Sequence, residues 1–257
     1  MDRVFKKLGY EFVNASNGDD WDILWSKEHP YYYHRIYPFN ETKLEPHQKI
    51  NHFPGNNFLV GKSKMSILNN GSRYILPAFR NENMEELRNY IKANPHKQFV
   101  KKSIHNRGVK IVEANEINEN VTETFYQVFL DNPFLIDGHA FDFGVFVLIT
   151  SIDPLRIYRY DEEVLLRFCP KKYHPFNKTD TKKYVVADDH LPTYKMKIFN
   201  ETYKNYKTSF KILFEDYIKD RGHSVDRLWK QIDDAIATII LNSSTNIKNK
   251  VGIYDLD

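Results

Sequence analysis

The sequence predicts an α+β protein, and three observations carry that expectation. Residues 125–168 read as apolar, β-branched and aromatic runs bounded by turn residues, the pattern of buried strands. Residues 84–93 and 202–242 instead carry the three-to-four-residue apolar spacing of amphipathic helices. Neither G-x-G-x-x-G nor G-x-x-x-x-G-K-[ST] occurs, so no dinucleotide-fold or P-loop signature competes with that reading.

Composition sets the outer limits. With 257 residues, 41% hydrophobic and 28% charged, the chain can bury a substantial core and is globular rather than disordered. The 18 Phe and 17 Tyr are assigned to core and sheet packing. A net charge of +3 is too mild to call for a nucleic-acid partner, though it is compatible with an acidic polypeptide. The single cysteine, Cys169, excludes an intramolecular disulfide and reads as a small buried thiol at the end of a strand. No apolar run reaches membrane-spanning length and MDRVFKKLGY has no signal core, so a cytoplasmic setting without a membrane segment is expected. Seven Asn-X-Ser/Thr sequences, at Asn14, Asn40, Asn70, Asn120, Asn177, Asn200 and Asn242, set up the alternative. They fit a secretory lumen if a longer form carries a signal or anchor segment.

Taken in order, Val4–Leu8 is helical and Trp21-Asp22-Ile23-Leu24-Trp25 is a buried strand of a small amino-terminal lobe. HPYYYHRIYPF follows, crowded with aromatics, and Pro54-Gly55 breaks any regular element. A short helix is predicted over Lys62–Asn69, a short strand over Tyr74–Phe79, and a helix over Met84–Ala93 that Asn94-Pro95 stops. Gln98–Lys101 and Val109–Glu113 are strands joined by KSIHNRG, and Tyr126–Leu130 is a further strand. Phe141–Thr150 reads as one long strand, with Ala140, Asp142 and Gly144 on one face and Phe141, Phe143 and Val145 on the other. Leu155–Tyr160 and Val164–Phe168 flank Asp161-Glu162-Glu163 as a hairpin. Helices are expected over Thr202–Asp220 and Asp226–Asn242. The domain division expected is an amino-terminal segment 1–50, a central lobe 51–130 and a carboxy-terminal lobe 131–257.

Four places carry candidate chemistry. Lys101, at a strand end before a polar loop that closes with Gly108, suits phosphate binding, because loop N–H groups cradle anions and lysine supplies a point charge. Gln127 is suited to reading an adenine edge, with the backbone of Phe129 and Leu130 adding hydrogen bonds. Asp142 is suited to a ribose hydroxyl or a cation, and Arg167 to a terminal phosphate. Asp188-Asp189-His190 and the basic stretch 171–183 read as solvated loops, the latter mobile.

Together the WDILW run, NHFPG, the Lys101–Gly108 loop, LIDGHAFDFGVFVLITSIDPLRIYRY and Leu166-Arg167-Phe168 resemble the tubulin–tyrosine ligase-like family. The resemblance covers most of residues 20–170. It implies an ATP-grasp fold, here incomplete at its carboxy-terminal end, with ATP between two lobes and Mg²⁺ stabilising the transferring phosphoryl group. It also implies amide-bond formation through an acyl phosphate, most plausibly adding glutamate to carboxylates of tubulin or another acidic protein. Carried over by position, Lys101, Arg107 and Gly108 contact the nucleotide phosphates, Gln127, Phe129 and Leu130 read adenine, Asp142 holds the ribose, and Arg167 is the catalytic residue at the terminal phosphate. The metal ligands stay unassigned. The family pattern on the long strand is Lys-x-Asp-x-Arg, where this chain has Ala140, Asp142 and Gly144. That departure sets up the alternative, an inactive member that binds a nucleotide or a protein partner.

Overall fold

The computed structural model describes residues 1–13, 21–27, 30, 45–103, 108–118, 123–206 and 208–254. Apart from Pro30, the HPYYYHRIYPF run lies outside the described residues, as does Arg107. The chain divides into two compact units, Met1–Phe58 with Ser244–Asp257, and Leu59–Ser243.

The first unit holds helix α1 (Asp2–Lys7) and two two-residue strands, β1 (Ile23–Leu24) and β2 (Lys49–Ile50), paired in parallel. Asn51 ties the two segments: its side chain accepts from the Ser26 N–H at 2.9 Å and donates to the Ser26 carbonyl at 2.8 Å. The predicted buried strand is therefore only two residues long. Trp25 is 52% exposed and meets Phe5 edge to face instead of entering a core.

Helix α2 (Asn57–Val60) spans the boundary, and the second unit continues with α3 (Lys62–Leu68) and carries most of the remaining regular structure. Its first layer is an antiparallel sheet of β3 (Ala78–Phe79), β6 (Thr124–Val128), β4 (Phe99–Ser103) and β5 (Val109–Val112), in that order across the sheet. Helix α4 (Met84–Ala93) covers one face with Met84 and Leu87, burying Phe79, Phe99, Val112, Tyr126 and Val128. Glu85 and Glu86 in its first turn and Lys92 in its last complement the helix dipole. The strand expected over Tyr74–Phe79 shrinks to Ala78–Phe79, where Asn70 clamps both backbone groups of Ala78 at 3.1 Å.

Two sequence expectations fail together in the next stretch. Phe141–Thr150 is not one strand: β7 (Phe141–Gly144) pairs with β10 (Leu165–Phe168), whereas β8 (Val147–Ile152) pairs with β9 (Leu155–Arg159). The hairpin is closed by the turn at Asp153-Pro154, not by Asp161–Glu163. A ten-residue apolar run cannot reveal by its spacing where a strand exchanges one partner for another. Glu163 has a different task, accepting the N–H groups of Phe210 at 3.2 Å and Lys211 at 3.1 Å. Those are unsatisfied donors at the start of helix α6 (Phe210–Lys219), where the Ser209 hydroxyl also accepts from Ile212. Strand β11 (Leu191–Pro192) completes a three-stranded sheet in the order β11–β10–β7.

The predicted helix Thr202–Asp220 is two helices, α5 (Lys197–Tyr206) and α6, because Ser209 caps a new start. The predicted Asp226–Asn242 is the amino-terminal part of the longer α7 (Val225–Tyr254). Leu213, Phe214, Tyr217 and Ile218 of α6 pack under the three-stranded sheet against Leu166 and Phe168, with Phe141 and Phe143 joining from β7. Phe143 and Phe214 stack with ring centroids 4.7 Å apart. Deleting a buried Phe side chain costs about 3–5 kcal/mol, so Phe214→Ala should lower the urea-unfolding free energy by that order. A loss below about 1 kcal/mol would show that α6 is not held by this core.

Candidate functional site

Between the four-stranded and three-stranded sheets of the second unit lies a cleft of about 420 Å³. Its volume falls in the range of small-molecule sites. Alternation along β4 decides which lysine enters it: Val100 and Lys102 line the cleft, so Lys101 lies on the opposite face, directly across from Lys110 of β5. Lys102 Nζ donates to Gln127 Oε1 at 2.6 Å. Burial lowers the Lys102 pKa below the ordinary lysine value, and the charge of Lys62 lowers it further. Lys62 also lines the cleft. The two ammonium groups give the cleft an anion-seeking pair of charges. Sequence spacing assigned neither, although strand alternation from Val100 was the available signal for Lys102.

Gly108 lines the cleft with a φ of +85°, a left-handed conformation that a side chain would strain. Gln127 also lines it, but its amide is engaged, accepting from Lys102 and donating to the Leu76 carbonyl at 2.9 Å. Phe129 and Leu130 lie beyond the end of β6 rather than within it, and the Phe129 N–H is taken by the Gln98 carbonyl at 2.9 Å. Phe129 contributes its ring instead, stacked on the buried Val100 and Ile111. With Val109, Ala140, Tyr173, Tyr184 and Val186 it gives the cleft an apolar lining.

Asp142 lines the cleft, on the face that the two-residue period assigned to it, with Phe141 and Phe143 packed on the core side. Its partner is Arg167, directly across on β10. The guanidinium is bidentate, Nε to Oδ1 at 3.0 Å and Nη2 to Oδ2 at 2.5 Å. The hydrogen bonds that Arg167 donates to Asp142 raise the Arg167 pKa. The two residues assigned separately to ribose and phosphate thus hold one another. Ala140 is buried beside the cleft, and a Cβ built on Gly144 would stand 3.0 Å from the Leu165 Cβ. Among the described residues, no three His, Cys, Asp or Glu side chains gather as a metal site. The aromatic and basic side chains that line this one cleft suit the base and the phosphates of a nucleotide.

The stretch 171–183 is not a free basic loop. Lys171 pairs with Asp180 at 2.7 Å, Lys182 with Asp189 at 2.8 Å and Lys178 with Glu113 at 3.3 Å. Asp189 is thereby taken up in an ion pair.

The arrangement of layers agrees with a solved structure. The carboxy-terminal domain of K. lactis Pby1, an ATP-grasp enzyme that interacts with the mRNA decapping enzyme Dcp2, matches with a TM-score of 0.56. The match covers 94% of this chain and 70% of that one at 16% identity, a likeness of fold. The fold is thus ATP-grasp, as the sequence resemblance implied. The sequence model of the tubulin-tyrosine ligase family matches residues 40–253, and the chain belongs to that family. The probable tubulin polyglutamylase ttll-15 of Caenorhabditis elegans is 33% identical over 95% of this chain and 48% of its own length. Tubulin polyglutamylase ttll6 of Danio rerio is 26% identical over 93% of this chain and 32% of its own. The chain thus spans about half the length of the first relative and a third of the second.

Cys169 is fully buried, and burial pushes its thiol pKa up to about 11. At pH 8 it is therefore almost entirely protonated and should resist a thiol reagent until the protein unfolds. Rapid labelling of the native protein, read by mass spectrometry, would contradict that placement.

Proposed function

We propose that the cleft binds ATP and that the chain is the nucleotide-binding part of an ATP-dependent amino-acid ligase acting in the cytoplasm on microtubules. Glutamate is the amino acid and a carboxylate of tubulin, or of another acidic protein, is the acceptor. The observation that carries the nucleotide reading is one cleft lined by aromatic rings and by two lysines, Lys62 and Lys102. Family membership and relatives named as tubulin polyglutamylases support the ligase reading. In this scheme Lys102 and Lys62 hold the phosphates, the aromatic lining holds adenine, and Asp142 faces the ribose. Attack of the acceptor carboxylate on the terminal phosphorus releases ADP, and the incoming amine then displaces phosphate from the carbonyl. Arg167, held by Asp142, sets the position of that carboxylate and stands at the edge of the reacting groups.

One observation favours a second reading, nucleotide binding without ligation. Along β7 the residues beside Asp142 on the cleft face are Ala140 and Gly144, neither of them charged, and Arg167 is already paired. Losing one preorganised donor from a transition-state site costs about 10²–10³ in rate.

Two measurements separate these readings. Mg·ATP should raise the thermal midpoint of the wild type and of Lys101→Ala, while Lys102→Ala should bind at least about tenfold more weakly, the scale of a lost charge-assisted hydrogen bond. Radiolabelled glutamate should enter tubulin with the wild type and not with Lys102→Ala. ATP binding without incorporation selects the second reading, and no thermal shift at millimolar ATP sinks both. The pH dependence is a further check. Because the Lys102 pKa is lowered, its ammonium is lost, and ATP affinity with it, at a lower pH than an ordinary lysine would set. Lys102→Gln should remove that alkaline decline, and a decline unchanged in this variant would exclude Lys102 as its source.

A further inference from the structure

The chain leaves β10 after Phe168 and returns to the same sheet as β11 at Leu191, and between them it crosses to the other sheet. This excursion is anchored at its start, where the Cys169 N–H donates to the Ala140 carbonyl and the Tyr173 N–H to the Gly138 carbonyl, both at 2.8 Å. At its far point Lys178 Nζ reaches Glu113 at 3.3 Å and Glu116 at 3.7 Å, just past β5. Between these anchors Phe176 touches three rings, Tyr173 at 5.1 Å, Phe129 at 5.7 Å and Tyr184 at 5.9 Å between centroids. All three of those rings line the cleft, and Phe176 does not.

We infer that Phe176 and Lys178, which stand behind the cleft, are positioning residues that set its aromatic wall to grip a planar base. The polar tips of the two tyrosines support this. Tyr184 donates to the Lys178 carbonyl at 2.7 Å, and Tyr173 to the Asp131 carbonyl at 3.1 Å, so each ring offers the cleft its apolar face. Phe129 comes from the connection after β6 and the two tyrosines from the excursion. Phe129 and Tyr184 meet directly, with ring centroids 5.8 Å apart, and Phe176 backs that junction by touching both of them and Tyr173. The Lys178 ion pairs hold that contact in register from an exposed position, where salt screens them. The inference rests on the nucleotide reading of the cleft.

Isothermal titration of the full chain with adenosine, ATP and inorganic triphosphate tests it. In Phe176→Ala the Kd for adenosine and ATP should rise about tenfold, the scale of lost ring packing, while that for triphosphate stays unchanged. Phe176→Tyr should restore the wild-type values. Lys178→Ala, at an exposed side chain that leaves the core intact, should weaken adenosine about threefold. Because adenosine is neutral, high salt should weaken its binding to the wild type and leave Lys178→Ala unaffected. If Phe176→Ala does not fold, the Lys178→Ala result and its salt response decide the matter. Wild-type adenosine affinity in either folded variant, or an equal loss for triphosphate, would overturn the positioning role while leaving the nucleotide reading standing. A wild type that binds none of the three ligands would overturn both.

Discussion

The register between β7 and β10 sets Asp142 directly across from Arg167, and the site takes its shape from that pairing. Alternation does the rest. The same register that turns Asp142 toward the cleft turns Phe141, Phe143 and Phe168 toward α6, so one shift of the strand would reverse both surfaces at once. A bidentate pair on neighbouring strands gains from that rigidity, because neither side chain must give up much freedom to find the other. Both groups remain partly exposed, at 39% and 40% of their side-chain surface, so the pair organises more than it stabilises.

Two different kinds of chemistry meet in the cleft. Aromatic rings whose polar tips bond elsewhere give it an apolar surface, and two lysines, Lys62 and Lys102, give it positive charge. Such a division suits a ligand that is itself divided, with a flat apolar body and a charged tail. The glycine at 108 lets the β4–β5 connection turn in a left-handed conformation where it lines the cleft.

Much of this was legible before the fold was known, and the failures share a cause. The helix Met84–Ala93 and the division of β7 into a core face and a cleft face followed from local periodicity alone. Lys101 was preferred over Lys102 because the predicted strand stopped at Lys101, whereas β4 runs on to Ser103 and its alternation puts Val100 and Lys102 on the cleft side. The break after Gly144 escaped notice because strand propensity is continuous across it while the hydrogen-bonding partner changes. Gln127 and Arg167 were assigned ligands when each already had a partner within the protein, which no reading of single residues can supply. The basic stretch 171–183 looked free for the same reason, since its acids at Glu113 and Asp189 lie apart from it in sequence or in pairing.

The close approach of Gly144 and Leu165 has a consequence for how this site can change. A Cβ at 144 would press on the Cβ of Leu165, an atom fixed to the backbone, so no rotamer of leucine relieves it. Any side chain at 144 must widen the spacing between β7 and β10 by a few tenths of an ångström, two residues from the Asp142–Arg167 pair. An arginine at this position is thus tied to a loosening of the strand pair, and glycine is what lets β7 and β10 lie this close beside the Asp142–Arg167 pair.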